Sequence, residues 1–185
     1  SRSQLTQETL MQRRASKKYV LVVDTSVLIS LHELGCVELL ENLSSLPFVD
    51  VVLPDTVMNE LARARTRVHL SQGCIRTERA VVNALPDDIP RRLGRGERGV
   101  IAVAYELTQR SGAIVVAVTD DGQARAKCER IGVKVHGTLG LIELAKKWGI
   151  VTKEEALRIL DQVPGTKLHI TVDVLTIAKE KIQSQ

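Results

Sequence analysis

The sequence predicts an α/β fold, a three-layer α/β/α sandwich around a mainly parallel central sheet. Short β-branched runs recur along the chain, and helical patterns separate them. The first run is apolar throughout rather than alternating, as in a strand covered on both faces.

The first run, Tyr19-Val-Leu-Val-Val-Asp24, ends in an acid. Val27 to Leu31 and Val37 to Leu43 then read as helix, broken at Gly35. Phe48 to Leu53 is a second strand, and Pro54-Asp55 opens a helix whose stripe is Val57, Leu61, Ala64 and Val68. Leu85 to Pro90, with Arg91, Arg92, Gly94 and Gly96, reads as a loop ahead of a helix marked by Val100, Ile101, Ala104 and Leu107. A third strand, Ala113 to Thr119, runs into Asp120-Asp121-Gly122, and a fourth covers Val133 to Val135. Helices are expected over Ala124–Ile131, Leu139–Trp148, Lys153–Leu160 and Val172–Ile182, the last capped by Thr171. Residues 1–18, with Arg13, Arg14, Lys17 and Lys18, form a basic extension ahead of a domain spanning 19–182.

At 185 residues the chain suits one domain, burying roughly 70% of its unfolded surface. No apolar run approaches the roughly 20 residues of a membrane span, and residues 1–18 lack an export signal's apolar stretch, so a cytoplasmic address is expected. Cys36, Cys74 and Cys128 are odd in number and widely spaced, which points to plain thiols rather than disulfides or zinc. The histidines, His32, His69, His136 and His169, have no metal-binding spacing. A net charge of +4 is compatible with a polyanionic partner. The aromatics are Tyr19, Phe48, Tyr105 and Trp148, too few for a base-stacking platform.

The chemistry lies in acids. Asp24 and Asp120-Asp121 follow buried strands, where a carboxylate is costly unless solvated, paired or bound to metal. Glu60 flanks the stripe of its helix, and Glu97 precedes Val100 and Ile101 at the start of another. Converging carboxylates repel one another, and a hard divalent cation such as Mg²⁺ or Mn²⁺ relieves this while activating water for attack on phosphorus. Arg63, Arg65, Arg91, Arg92, Arg95, Arg98 and Arg125 are near enough in sequence to hold phosphates. Taken singly, each acid has an ordinary reading: Asp24 as a helix cap, Glu60 and Glu97 as partners of nearby arginines, Asp120 to Gly122 as a turn. Their joint placement favours a site.

These residues resemble the PIN-domain family. Val-Val-Asp24-Thr25-Ser26, Pro54-Asp-Thr-Val-Met-Asn-Glu60-Leu, Leu93-Gly-Arg-Gly-Glu97-Arg-Gly-Val-Ile-Ala and Val118-Thr-Asp120-Asp121 occur in that family's order. Gly137-Thr-Leu-Gly-Leu-Ile-Glu-Leu-Ala-Lys resembles a prokaryotic, especially archaeal, subgroup that includes VapC-like toxins. The resemblance implies an endoribonuclease using Mg²⁺ or Mn²⁺, often a homodimer, acting on RNA as the toxin of an antitoxin-held pair or as an RNA-processing enzyme. It carries over Asp24, Glu60, Glu97 and Asp121 as catalytic, metal-binding acids, with Asp120 a competing ligand for the last place. Thr25 and Thr119 resemble the hydroxyls that orient the acids, and Arg95, Arg98 and Arg125 are the candidate RNA contacts. The extension at 1–18 and the long segment Thr66–Leu85 depart from a minimal toxin. The rival readings are a catalytically inactive PIN-fold module binding RNA or protein, and a phosphoryl-acceptor domain built on Asp24. The second lacks a lysine at the late strand end.

Overall fold

The computed structural model describes residues 17–64, 68, 70, 75–81 and 93–184. Most of the extension, Cys74, His69, Arg65, Arg91 and Arg92 lie outside the described residues.

Among the described residues five parallel strands form the sheet: β1 (Tyr19–Val23), β2 (Val49–Pro54), β3 (Arg76–Glu78), β4 (Ile114–Val118) and β5 (Lys134–His136). Their order is β3-β2-β1-β4-β5, so the chain runs outward from β1 to β2 on one side of the sheet and outward from β4 to β5 on the other. Right-handed crossovers therefore place the intervening helices on opposite faces. Helices α1 (Thr25–Glu33) and α2 (Glu38–Ser44) join β1 to β2. Helix α3 (Asp55–Arg63) follows β2, and α4 (Arg95–Arg110) precedes β4 and packs on β1, β2 and β4. Helices α5 (Gly122–Arg130) and α6 (Thr138–Lys147) flank β5. Beyond them α7 (Lys153–Asp161) and α8 (Val172–Gln183) stack on α6.

β1 is the centre, with Val20 to Val23 at most 4% exposed, as its unbroken apolar run requires. Gly35 adopts φ +69°, the left-handed conformation that lets the chain turn between α1 and α2. At the other end of the sheet, Trp148 packs edge-on to Tyr19 and Phe48, with ring centroids 4.9 and 5.5 Å away. Three of the aromatics are thus part of the scaffold.

Two elements differ from expectation. β3 is an additional strand, Arg-Thr-Glu, without apolar signature; pairing with Val52 to Pro54 makes it a strand. Helix α3 closes at Ala64, so Val68 does not continue its stripe. Asp55 links the two regions, since its Oδ1 accepts from Thr56 N at 2.8 Å and from Ala80 N at 3.0 Å.

Helices α3 and α4 approach closely because α4 carries glycines where α3 projects side chains. A Cβ at Gly96 would collide with the Glu60 carboxylate, and one at Gly99 with the Thr56 hydroxyl. Thr56 and Glu60 lie one helical turn apart, so the two glycines form a slot for one face of α3. Gly99→Ala is expected to destabilise the protein by about 1–3 kcal/mol through overpacking. Gly112→Ala, with open space around the position, is expected to leave the denaturation midpoint nearly unchanged.

Candidate active site

The strand order reverses beside β1, so β1 and β4 diverge into different crossovers, and open α/β sheets bind ligands beyond the carboxyl ends of strands at such a position. Asp24 follows β1 there and Thr119 to Asp121 follow β4. The Asp24 N–H donates to Val118 O at 2.9 Å, joining the two strand ends.

Asp24 has no exposed surface. Its Oδ1 accepts from Thr25 N at 2.9 Å, while Oδ2 accepts from Ser26 Oγ at 2.7 Å and Thr119 Oγ1 at 2.9 Å. The aspartate is therefore both the N-cap of α1 and a member of the acidic group. Burial pushes its pKa up to about 6, the Glu97 charge adds to the rise, and the hydrogen bonds oppose it.

Glu60 enters from α3, half-buried. Its Oε2 accepts from Thr25 Oγ1 at 2.7 Å and its Oε1 from Gly96 N at 2.7 Å, so the neck of α1 and the start of α4 hold it together. Glu97 occupies the first turn of α4. Its pKa is raised by burial and by the charges of Glu60 and Asp121, against a lowering contribution from its own backbone amide. Asp121 caps α5, with Oδ1 accepting from Ala124 N at 2.7 Å. Four chain segments thus bring Asp24, Glu60, Glu97 and Asp121 near one another: the charges of Glu60 and Asp121 act on Glu97, and that of Glu97 acts on Asp24.

Asp120 turns elsewhere. Its Oδ1 accepts from Thr138 N at 2.7 Å, and its Oδ2 from Thr138 Oγ1 at 2.6 Å and Ser30 Oγ at 3.3 Å. It ties α1 to the start of α6, and its oxygens are occupied by that task. Between the adjacent aspartates, Asp121 is the one coupled to Glu97.

The sequence reading did not single out Ser26, Ser30, Gly96 and Thr138 as contributors. Ser26 is the most connected: its hydroxyl donates to Asp24 and accepts from Asp120 N at 3.3 Å. Its signal was present in Asp24-Thr25-Ser26, since a serine two places after a cap reaches the capping carboxylate. Arg95 and Arg125 are exposed at the first turns of α4 and α5. Arg98 is half-buried, and its Nε has no hydrogen-bond partner among the described residues.

The donor set consists of carboxylates, the chemistry a hard cation requires. Among the described residues no group of three or more His, Cys, Asp or Glu side chains is placed to hold a metal ion.

The chain matches the PIN domain family over residues 20–184 and belongs to it. No curated protein matches the chain. PIN domains are in general nucleases, so the scaffold is a nuclease fold. Among the described residues no helix is long and apolar enough to cross a membrane.

The raised pKa of Asp24 has a thermodynamic consequence. The folded state holds this proton more tightly than the unfolded chain, whose aspartate titrates near 3.8. Ionising Asp24 therefore opposes folding, and stability falls as pH rises from about 4 to about 6. In the absence of metal, Asp24→Asn is expected to gain on the wild type across that window, by up to about 3 kcal/mol at pH 7. Denaturant unfolding at several pH values measures this, and a pH-independent difference contradicts it.

Proposed function

We propose that this protein is a divalent-metal-dependent endoribonuclease that hydrolyses RNA phosphodiester bonds. The observation that carries the reading is the coupled group Asp24, Glu60, Glu97 and Asp121 at the reversal point of the sheet, in a chain of the PIN domain family. These carboxylates would hold Mg²⁺ or Mn²⁺, which supplies a water activated for attack on phosphorus and stabilises the displaced oxygen. The chain's own contribution is orientation and charge. Thr119, Ser26 and the Thr25 amide fix the Asp24 carboxylate, and Thr25 with Gly96 fixes Glu60. Such donors set which lone pairs remain for an incoming ligand. Arg95, Arg98 and Arg125 are proposed to neutralise RNA phosphates. A homodimer is the proposed assembly.

RNA cleavage by the purified protein should require Mg²⁺ or Mn²⁺ and disappear with Asp24→Asn, Glu60→Gln, Glu97→Gln or Asp121→Asn. Activity in a chelator, or retained by Asp24→Asn, would overturn the mechanism. RNA binding without cleavage under either metal would favour an inactive binding module. Thr119→Val, which leaves the acids in place, is expected to lower cleavage by about 10- to 100-fold through misorientation of Asp24. Inhibition of cleavage by a small protein encoded beside this one would mark a toxin held by an antitoxin rather than an RNA-processing enzyme.

A further inference from the structure

The two edges of the sheet carry their cations differently. At the β3 edge, Lys18 and Arg76 pair with Asp50, Arg76 also with Glu78, and Arg110 with Glu78 and Glu106, all within 4.0 Å. At the β5 edge, exposed Lys134 on β5, Arg125 on α5 and Lys181 on α8 all act electrostatically on the half-buried imidazole of His136. Among the described residues none of these three cations stands in an ion pair within 4.0 Å. The acids nearby are Asp120, Asp121, Glu129 and Glu143. Asp120 is engaged by Thr138 and Ser30, half-buried Glu143 faces Lys181, and exposed Glu129 lies one turn beyond Arg125.

This edge is continuous with the acidic group. Arg125 lies one helical turn after Asp121, and its N–H donates to the Asp121 carbonyl at 2.9 Å. A Cβ at Gly137, the turn after β5, would lie 2.7 Å from Asp120 Oδ1 and 3.5 Å from Arg125 Nη1, so the carboxylate and the guanidinium both border that turn. Thr119 N–H donates to His136 O at 2.9 Å, tying the end of β4 to the end of β5.

We propose that Arg125, Lys134 and Lys181, grouped around His136, form a phosphate track along which single-stranded RNA lies as it leaves the acidic site. The proposal rests on the ribonuclease reading of that site. Cations spread over three elements on an open edge suit a linear polyanion, and without nearby aromatics they read backbone charge rather than bases.

The test uses the full chain carrying Asp24→Asn, so that RNA stays intact, and a labelled 20-nucleotide single-stranded RNA followed by fluorescence anisotropy. Combining Arg125→Glu, Lys134→Glu and Lys181→Glu is expected to weaken binding about tenfold or more and to lower the slope of log affinity against log salt by about 2. A matched triple on exposed cations elsewhere, Lys147→Glu, Arg158→Glu and Lys167→Glu, is expected to stay within about threefold of the parent. Equal losses in both triples, no loss in the first, or no RNA binding by the parent would overturn the track. If the first triple does not fold, single Gln variants at its positions serve, each expected to lower the slope by about 0.7. Cleavage of a tetranucleotide by the wild-type chain is read separately. Cleavage without edge-dependent binding sinks the track alone, whereas edge-dependent binding without cleavage sinks the nuclease reading alone.

Discussion

The Asp24 carboxylate is fully buried where β1 and β4 end, and much of the surrounding geometry serves to keep it there. A lone carboxylate in that position would favour its neutral form strongly. Three hydrogen-bond donors, two of them hydroxyls from α1 and β4's exit, offset part of the cost of keeping it charged. Those donors are productive only because the Asp24 amide binds Val118 and holds the two strand ends in register. Cap, crossover and acidic group therefore depend on one another.

From this centre the order extends through shared donors. Thr25 gives its amide to Asp24 and its hydroxyl to Glu60, so the first residue of α1 connects the β1 exit to α3. Ser26 connects Asp24 to the backbone of Asp120, and Asp120 connects onward to α6. Gly96 completes the set by bringing the amide of α4 against Glu60, an approach that only a residue without a side chain permits.

The parallel sheet was legible because β1, β2 and β4 are long, β-branched and buried, which leaves a mark in the sequence. β3 was not, because its residues are polar and its structure comes from pairing with β2. Asp24, Glu60, Glu97 and Asp121 were legible as acids at strand ends and core-edge helix positions. What the Asp120 carboxylate binds was not, since its partners Thr138 and Ser30 are 18 and 90 positions away. The pairing of Glu60 with Gly96 was hidden for the same reason, a separation of 36 positions. Local pattern places a side chain on a face; distant donors decide which way its oxygens point.

The edges of the sheet have a further consequence. β3 and β5 are each three residues long, and each exposes charge, Arg76 on one and Lys134 on the other. Short charged borders offer little backbone for another strand to add to, a natural guard against aggregation. A second copy of this chain would therefore gain little by extending the sheet, and the proposed homodimer would have to form on helical faces such as α8, where Val174 and Ile177 are half-exposed.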